Sequence, residues 1–173
     1  RSGSVTGVQT CALPICFGLL GHLVEMIKAS KVDVTLELAS LPLLDGVRET
    51  IGLGIFSSLQ PQNVRLRRAI RNLGEAAAAP LHPALFDPQT AGGLLASVPG
   101  HRAAACLAAL HAAGYSQAAI IGHVEPQSDA AEPITIVVGD SPPRSGTRAN
   151  GRDEPDPERG RLLARQPGSP VAP

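Results

Sequence analysis

Residues 17–39 read FGLLGHLVEMIKASKVDVTLELA, and the spacing of their apolar residues changes midway. Leu19, Leu20, Leu23, Val24 and Ile27 recur at three and four residues with His22, Glu25 and Lys28 turned away, which predicts a helix over 17–29. Beyond Lys31 the period drops to two. Val32, Val34, Leu36 and Leu38 alternate with Asp33, Thr35, Glu37 and Ala39, the pattern of a strand with one wet face. A helix running straight into a strand makes this an α/β or α+β chain.

The same alternation continues outward. LPLLDG at 41–46 is a turn with apolar anchors, 47–52 a short helix, and 63–73 a basic helix with Val64, Ala69 and Ile70 inward and Arg65, Arg67, Arg68 and Arg71 outward. Residues 75–83, EAAAAPLHP, read as a linker or the end of that helix. A buried strand is predicted at 94–98 and an Ala-rich helix over 102–113, stopped by Gly114. Two β-branched runs, 118–124 and 134–138, read as a final pair of strands. The expected architecture is an α/β (α+β sandwich) fold: a mixed sheet of about four strands packed against helices.

Composition divides the 173 residues into three. Residues 17–139 carry eight Lys+Arg and ten Asp+Glu, enough chain for one ordinary domain. Residues 140–173 hold seven Pro, four Gly, six Arg and five Asp+Glu, with Leu162, Leu163 and Val171 as the bulky apolar exceptions, and are expected to be a disordered tail. Residues 1–16 begin with Arg, which predicts a reading frame that starts further upstream. The formal charge is zero, arguing against nucleic acid and membrane as partners. The apolar stretch 13–27 is interrupted by Pro14, Gly18, Gly21, His22 and Glu25, too broken to span a bilayer, and a cytoplasmic location is expected. Cys11, Cys16 and Cys106 have no paired spacing and read as free thiols.

Two stretches could carry chemistry. In FDPQTAGGLL (86–95), Gly92 and Gly93 allow backbone N–H groups to approach a ligand, while Asp87, Gln89 and Thr90 offer a carboxylate, an amide and a hydroxyl. An Asp-Pro turn entering a strand would read the same way. In FGLLGH (17–22), Gly18 and Gly21 inside a helical pattern imply a close approach, and His22 either orients a ligand or caps a partly exposed face.

FGLLGHLVEM, LPLLDGV, the Pro61-Gln62-Asn63 run, LFDPQTAGGLLASVP, the Ala-rich helix and AAIIGHVEP, in this order, resemble the C-terminal domain of the selenophosphate synthetases (selenide, water dikinases). These belong to the aminoimidazole ribonucleotide synthetase-like superfamily. The resemblance runs from Phe17 to about Val138. It implies an enzyme that uses ATP and water to phosphorylate selenide, giving selenophosphate, AMP and phosphate, with magnesium neutralising the phosphates. Gly18, His22, Asp87, Gln89, Thr90, Gly92 and Gly93 would then face the nucleotide. The family's nucleophilic Cys or selenocysteine, its Lys and its acidic ATP-site residues lie in an N-terminal domain that this chain does not match. No catalytic residue and no metal ligand are therefore assigned here, tight binding of ATP or Mg2+ is not expected of this chain, and no turnover by it alone is predicted. The resemblance also implies a homodimer formed through that N-terminal domain.

The junction departs from the family pattern. Family members read Asp-Val-Thr-Gly before Phe-Gly-Leu-Leu-Gly-His, the Asp being a magnesium ligand, whereas this chain has Leu13-Pro14-Ile15-Cys16 before Phe17. Shifting to Ser4-Val5-Thr6-Gly7 still gives Ser for Asp and inserts Val8 to Cys16, so either register weakens the cation site. SVTGVQTCALPI (4–15) itself resembles translated sequencing adapter, marking 1–16 as non-native. Two other readings follow from the residues. One is a superfamily relative acting on another substrate (aminoimidazole ribonucleotide synthetase, hydrogenase maturation or thiamine-phosphate kinase type). The other is a non-catalytic module binding an anionic partner through 65–71 and the Arg-rich tail.

Overall fold

The computed structural model describes residues 11–12, 17–88, 93–139 and 160–165. Helix α1 (Gly18–Ser30) ends where Lys31 turns left-handed (φ 53°) and donates its N–H to the Ile27 carbonyl at 2.8 Å. That sharp reversal sends the chain directly into strand β2 (Val32–Glu37). Leu20, Leu23, Val24, Met26 and Ile27 on one side of α1 join Val34 and Leu36 of β2 in the core. Strand β1 (Cys11–Ala12) precedes them, and strands β3 (Leu94–Val98), β4 (Ala119–Pro126), β5 (Ile134–Val137) and β6 (Arg161–Arg165) complete one mixed sheet in the order β1-β3-β6-β4-β2-β5. Helix α5 (Gly100–Ala112) joins β3 to β4, and Gly114 just after it sits at φ 92°, as a helix-stopping glycine should.

The expected mixed α/β architecture is present, and all four predicted strands are found. Three expectations about the strands are corrected. First, 140–173 does not lack order throughout: its residues 161–165 form β6 in the middle of the sheet, antiparallel to both β3 and β4. Leu162 and Leu163, the two adjacent leucines of an otherwise polar segment, are 1% and 3% exposed. Opposite Leu162 lie the small residues Ser97 and Gly122, which leave room for it. Second, the runs at 118–124 and 134–138 do not pair with each other. Strand β2 lies between them, antiparallel to β4 and parallel to β5. Third, β2 has no wet face: Asp33 is 4% and Thr35 9% exposed, and Arg71 and Ser128 lie over Asp33.

The segment between β2 and β3 is made of short turns. It contains α2 (Val47–Gly52), α3 (Gln60–Asn63), a 3₁₀ turn at Val64–Ala69, α4 (Leu73–Ala76) and a second 3₁₀ turn at His82–Phe86. The continuous helix expected over 63–73 is thus broken. Ile70 turns extended, is buried, and bridges to Ile134 in parallel, while the Arg71 N–H donates to the Ile134 carbonyl at 2.7 Å. Burying Ile70 beside the sheet outweighs continuing a helix.

Candidate functional site

The two stretches singled out for chemistry meet in space. Gly18, the first residue of α1, has φ 66°, and a Cβ there would lie 2.9 Å from the Phe86 carbonyl carbon, 3.0 Å from the Leu85 oxygen and 3.1 Å from the Asp87 oxygen. Only glycine allows both the left-handed turn and this approach. The start of α1 is therefore pressed against the backbone at the start of the Asp87 loop. No side chain caps the helix at Phe17, whose ring packs edge-on against His22 with centroids 6.0 Å apart. His22 Nδ1 in turn lies 3.4 Å from Glu25 Oε2.

The Asp87 loop is held from its other side by two buried amides three residues apart on α3. Gln60 Nε2 donates to the Pro83 carbonyl at 2.9 Å and Asn63 Nδ2 to the Phe86 carbonyl at 3.1 Å. Matching i, i+3 spacing on both segments makes a two-rung ladder that clamps the turn at His82–Phe86. Gln60 and Asn63 are 6% and 5% exposed. Gln60 Oε1 and His82 Nε2 are buried with no hydrogen-bond partner among the described residues. Burial, helped by the charge of Arg67, lowers the His82 pKa, so its ring stays neutral near pH 7; it packs edge-on against Phe86 at 5.0 Å. Asp87, where the clamp ends, has its carboxyl pushed up by burial.

A family model described as "AIR synthase related protein, C-terminal domain" matches residues 16–132. The chain belongs to this family. Proteins named "Selenide, water dikinase" are similar to it. The one from Myxococcus xanthus is 40% identical over 124 residues, 71% of this chain and 34% of its own length. Those from Clostridioides difficile and Pelobacter propionicus are both 35% identical, over 65% and 68% of this chain and 32% and 34% of their own lengths. The chain thus spans about a third of these relatives.

Of the residues assigned to the site from sequence, this domain brings Gly18 and Asp87 together directly. His22 follows one turn along α1, and Gly93 stands immediately before β3. Gln89, Thr90 and Gly92 lie outside the described residues. Among the described residues, no three His, Cys, Asp or Glu side chains converge as a metal centre, and no helix is long and apolar enough to cross a membrane. Gln60, Asn63 and His82 were not picked out as site residues. Their signal was present as Gln and Asn three apart before a basic run, but short polar helices carry no apolar period to mark the inward face. The arginine face is also smaller than it reads. Arg65, Arg67 and Arg68 are exposed, while Arg71 is bonded to Asp33 at 2.8 Å.

Proposed function

We propose that this domain is the C-terminal part of a cytoplasmic, homodimeric selenide, water dikinase, and that the junction of α1 with the Asp87 loop lines the side of its cleft that receives the phosphates of ATP. One observation carries the proposal: Gly18 of FGLLGH packs against the backbone of Leu85, Phe86 and Asp87, where FDPQTAGG begins, and these two stretches are the ones on which the family resemblance is strongest. The names of the relatives, which print selenide and water, support selenide as the substrate. Gly18, His22, Asp87, Gln89, Thr90, Gly92 and Gly93 would face the nucleotide, with Gln60 and Asn63 fixing the loop from behind.

The residues present do not fit a complete magnesium centre. Asp87 is the carboxylate of the wall, and burial pushes it towards its neutral form rather than holding it as an anion. The cation's ligands are assigned to the part of the enzyme that this chain does not match. Exposed Leu44, Leu53, Ile55, Phe56 and Leu59, with Leu53 at 74%, support apolar surface that is covered in the longer protein.

Selenide-dependent release of AMP from ATP tests the reading. The gene extended upstream of Phe17 should give an active protein and restore a selenophosphate-deficient cell. The 173-residue chain should do neither. Activity of the extended protein on a different acceptor would overturn the assignment. Sequencing the source locus across Phe17 tests the origin of residues 1–16: an Asp-Val-Thr-Gly joined directly to Phe17 identifies them as foreign.

A further inference from the structure

Strand β6 fills a position that the rest of the domain leaves open. Strands β3 and β4 are linked through α5 and run parallel to each other, both antiparallel to the strand between them. Without β6 they would stand two strand spacings apart, roughly 9 to 10 Å, with unpaired N–H and C=O groups facing across the gap. The sheet would divide into a β1-β3 piece and a β4-β2-β5 piece. Both walls of the gap lie inside the family match at 16–132, whereas the strand that fills it lies outside.

We propose that the space between β3 and β4 is a strand-binding site, and that residues 160–165 are a detachable ligand for it. Its ligand class is an extended peptide with two adjacent aliphatic side chains. Backbone pairing on both edges supplies affinity. Register is set by Leu162 opposite Ser97 and Gly122, with a bulge between Ile120 and Gly122, and by Leu163 opposite Ala96 and Ile120. The Gly160 carbonyl accepts the Val124 N–H at 2.8 Å and fixes the entry end.

A fluorescent peptide of residues 159–167 is the probe, used against the full chain and against the full chain carrying L162D and L163D. A strand tethered within its own chain competes at an effective concentration on the order of 1 mM, so the unmodified chain should resist a micromolar peptide. The double variant should bind it at least about tenfold more tightly and recover thermal stability on binding. A folded double variant that ignores the peptide would overturn the proposal, as would equal binding to both chains. Should the double variant fail to fold, the chain with a specific protease site placed at residue 150 decides. After cleavage, the released C-terminal piece should stay bound and exchange with labelled peptide. Immediate loss of that piece, or its retention without exchange, counts against a detachable strand.

Discussion

Asp33 and Gln60 are both almost fully buried polar residues, and their surroundings differ. One oxygen of Asp33 accepts hydrogen bonds from Arg71 at 2.8 Å, the Ser128 hydroxyl at 2.5 Å and the Ser128 N–H at 3.2 Å. Arg71 extends the cluster to the Glu132 carbonyl at 3.1 Å, tying the loop before β5 to β2. Around Gln60 the account does not close. Its Oε1 and His82 Nε2 have no hydrogen-bond partner among the described residues, and nearby Asp87 is held in a setting that disfavours its charge. An unmet buried polar atom costs about 1 to 3 kcal/mol. The Asp33 cluster is therefore a structural clasp, while the segment from Gln60 to Asp87 retains a deficit of the sort that collects at functional sites.

The strongest way to break the second region is Gly18→Ala. It forces a left-handed alanine against three backbone atoms, and denaturant unfolding should show a loss of about 3 kcal/mol. Next comes Asp33→Ala, which strips Arg71 and Ser128 of their acceptor; a loss of about 2 kcal/mol is expected because Arg71 is partly solvated. Its pH dependence sharpens the contrast. Burial alone would raise the Asp33 pKa, but the hydrogen bonds from Ser128 and Arg71, with the charge of Arg71, hold it below 3.8. The contribution is complete above that value and disappears as pH falls through the lower folded one, and the alanine variant should lack this acid step.

His82→Leu acts in a different window. Because the folded imidazole titrates below 6.5, the unfolded chain takes up its proton first, and stability declines as pH drops from 6.5. Leucine should flatten this decline, so that denaturant unfolding at pH 7.5 and at pH 5 gives closer stabilities than in the unmodified chain. The smallest effect is expected from Asp87→Asn. A raised carboxyl favours folding below 3.8 and loses that advantage as pH rises through its folded value, so its charge is a burden at pH 7. The amide should stabilise by up to about 0.5 kcal/mol while lowering AMP release in the longer enzyme.

What the sequence disclosed follows the same division. Periodic segments were readable: the helix predicted over 17–29 is found at Gly18–Ser30 and that over 102–113 at Gly100–Ala112. Strand β6 was not, since two leucines among arginines become a strand only when distant β3 and β4 supply both edges. Nor was the burial of Asp33, because alternation alone cannot show that Arg71 and Ser128 will cover the polar side of β2. At the site, glycine spacing pointed to Gly18 and Asp87 through local backbone constraints. The Gln60 and Asn63 ladder depends on a segment more than twenty residues away, which no local pattern encodes.

The central place of β6 also governs the order in which the molecule can be assembled. Leu94 waits for Arg165 and Val98 for Arg161, so a chain emerging from the ribosome has made α5, β4 and β5 well before the middle of its sheet exists. Closing long loops before any pairing rewards them slows folding. Until Leu162 and Leu163 arrive, the two halves of the sheet expose facing edges, and this interval of synthesis is when the domain is most open to chaperones and most prone to aggregate.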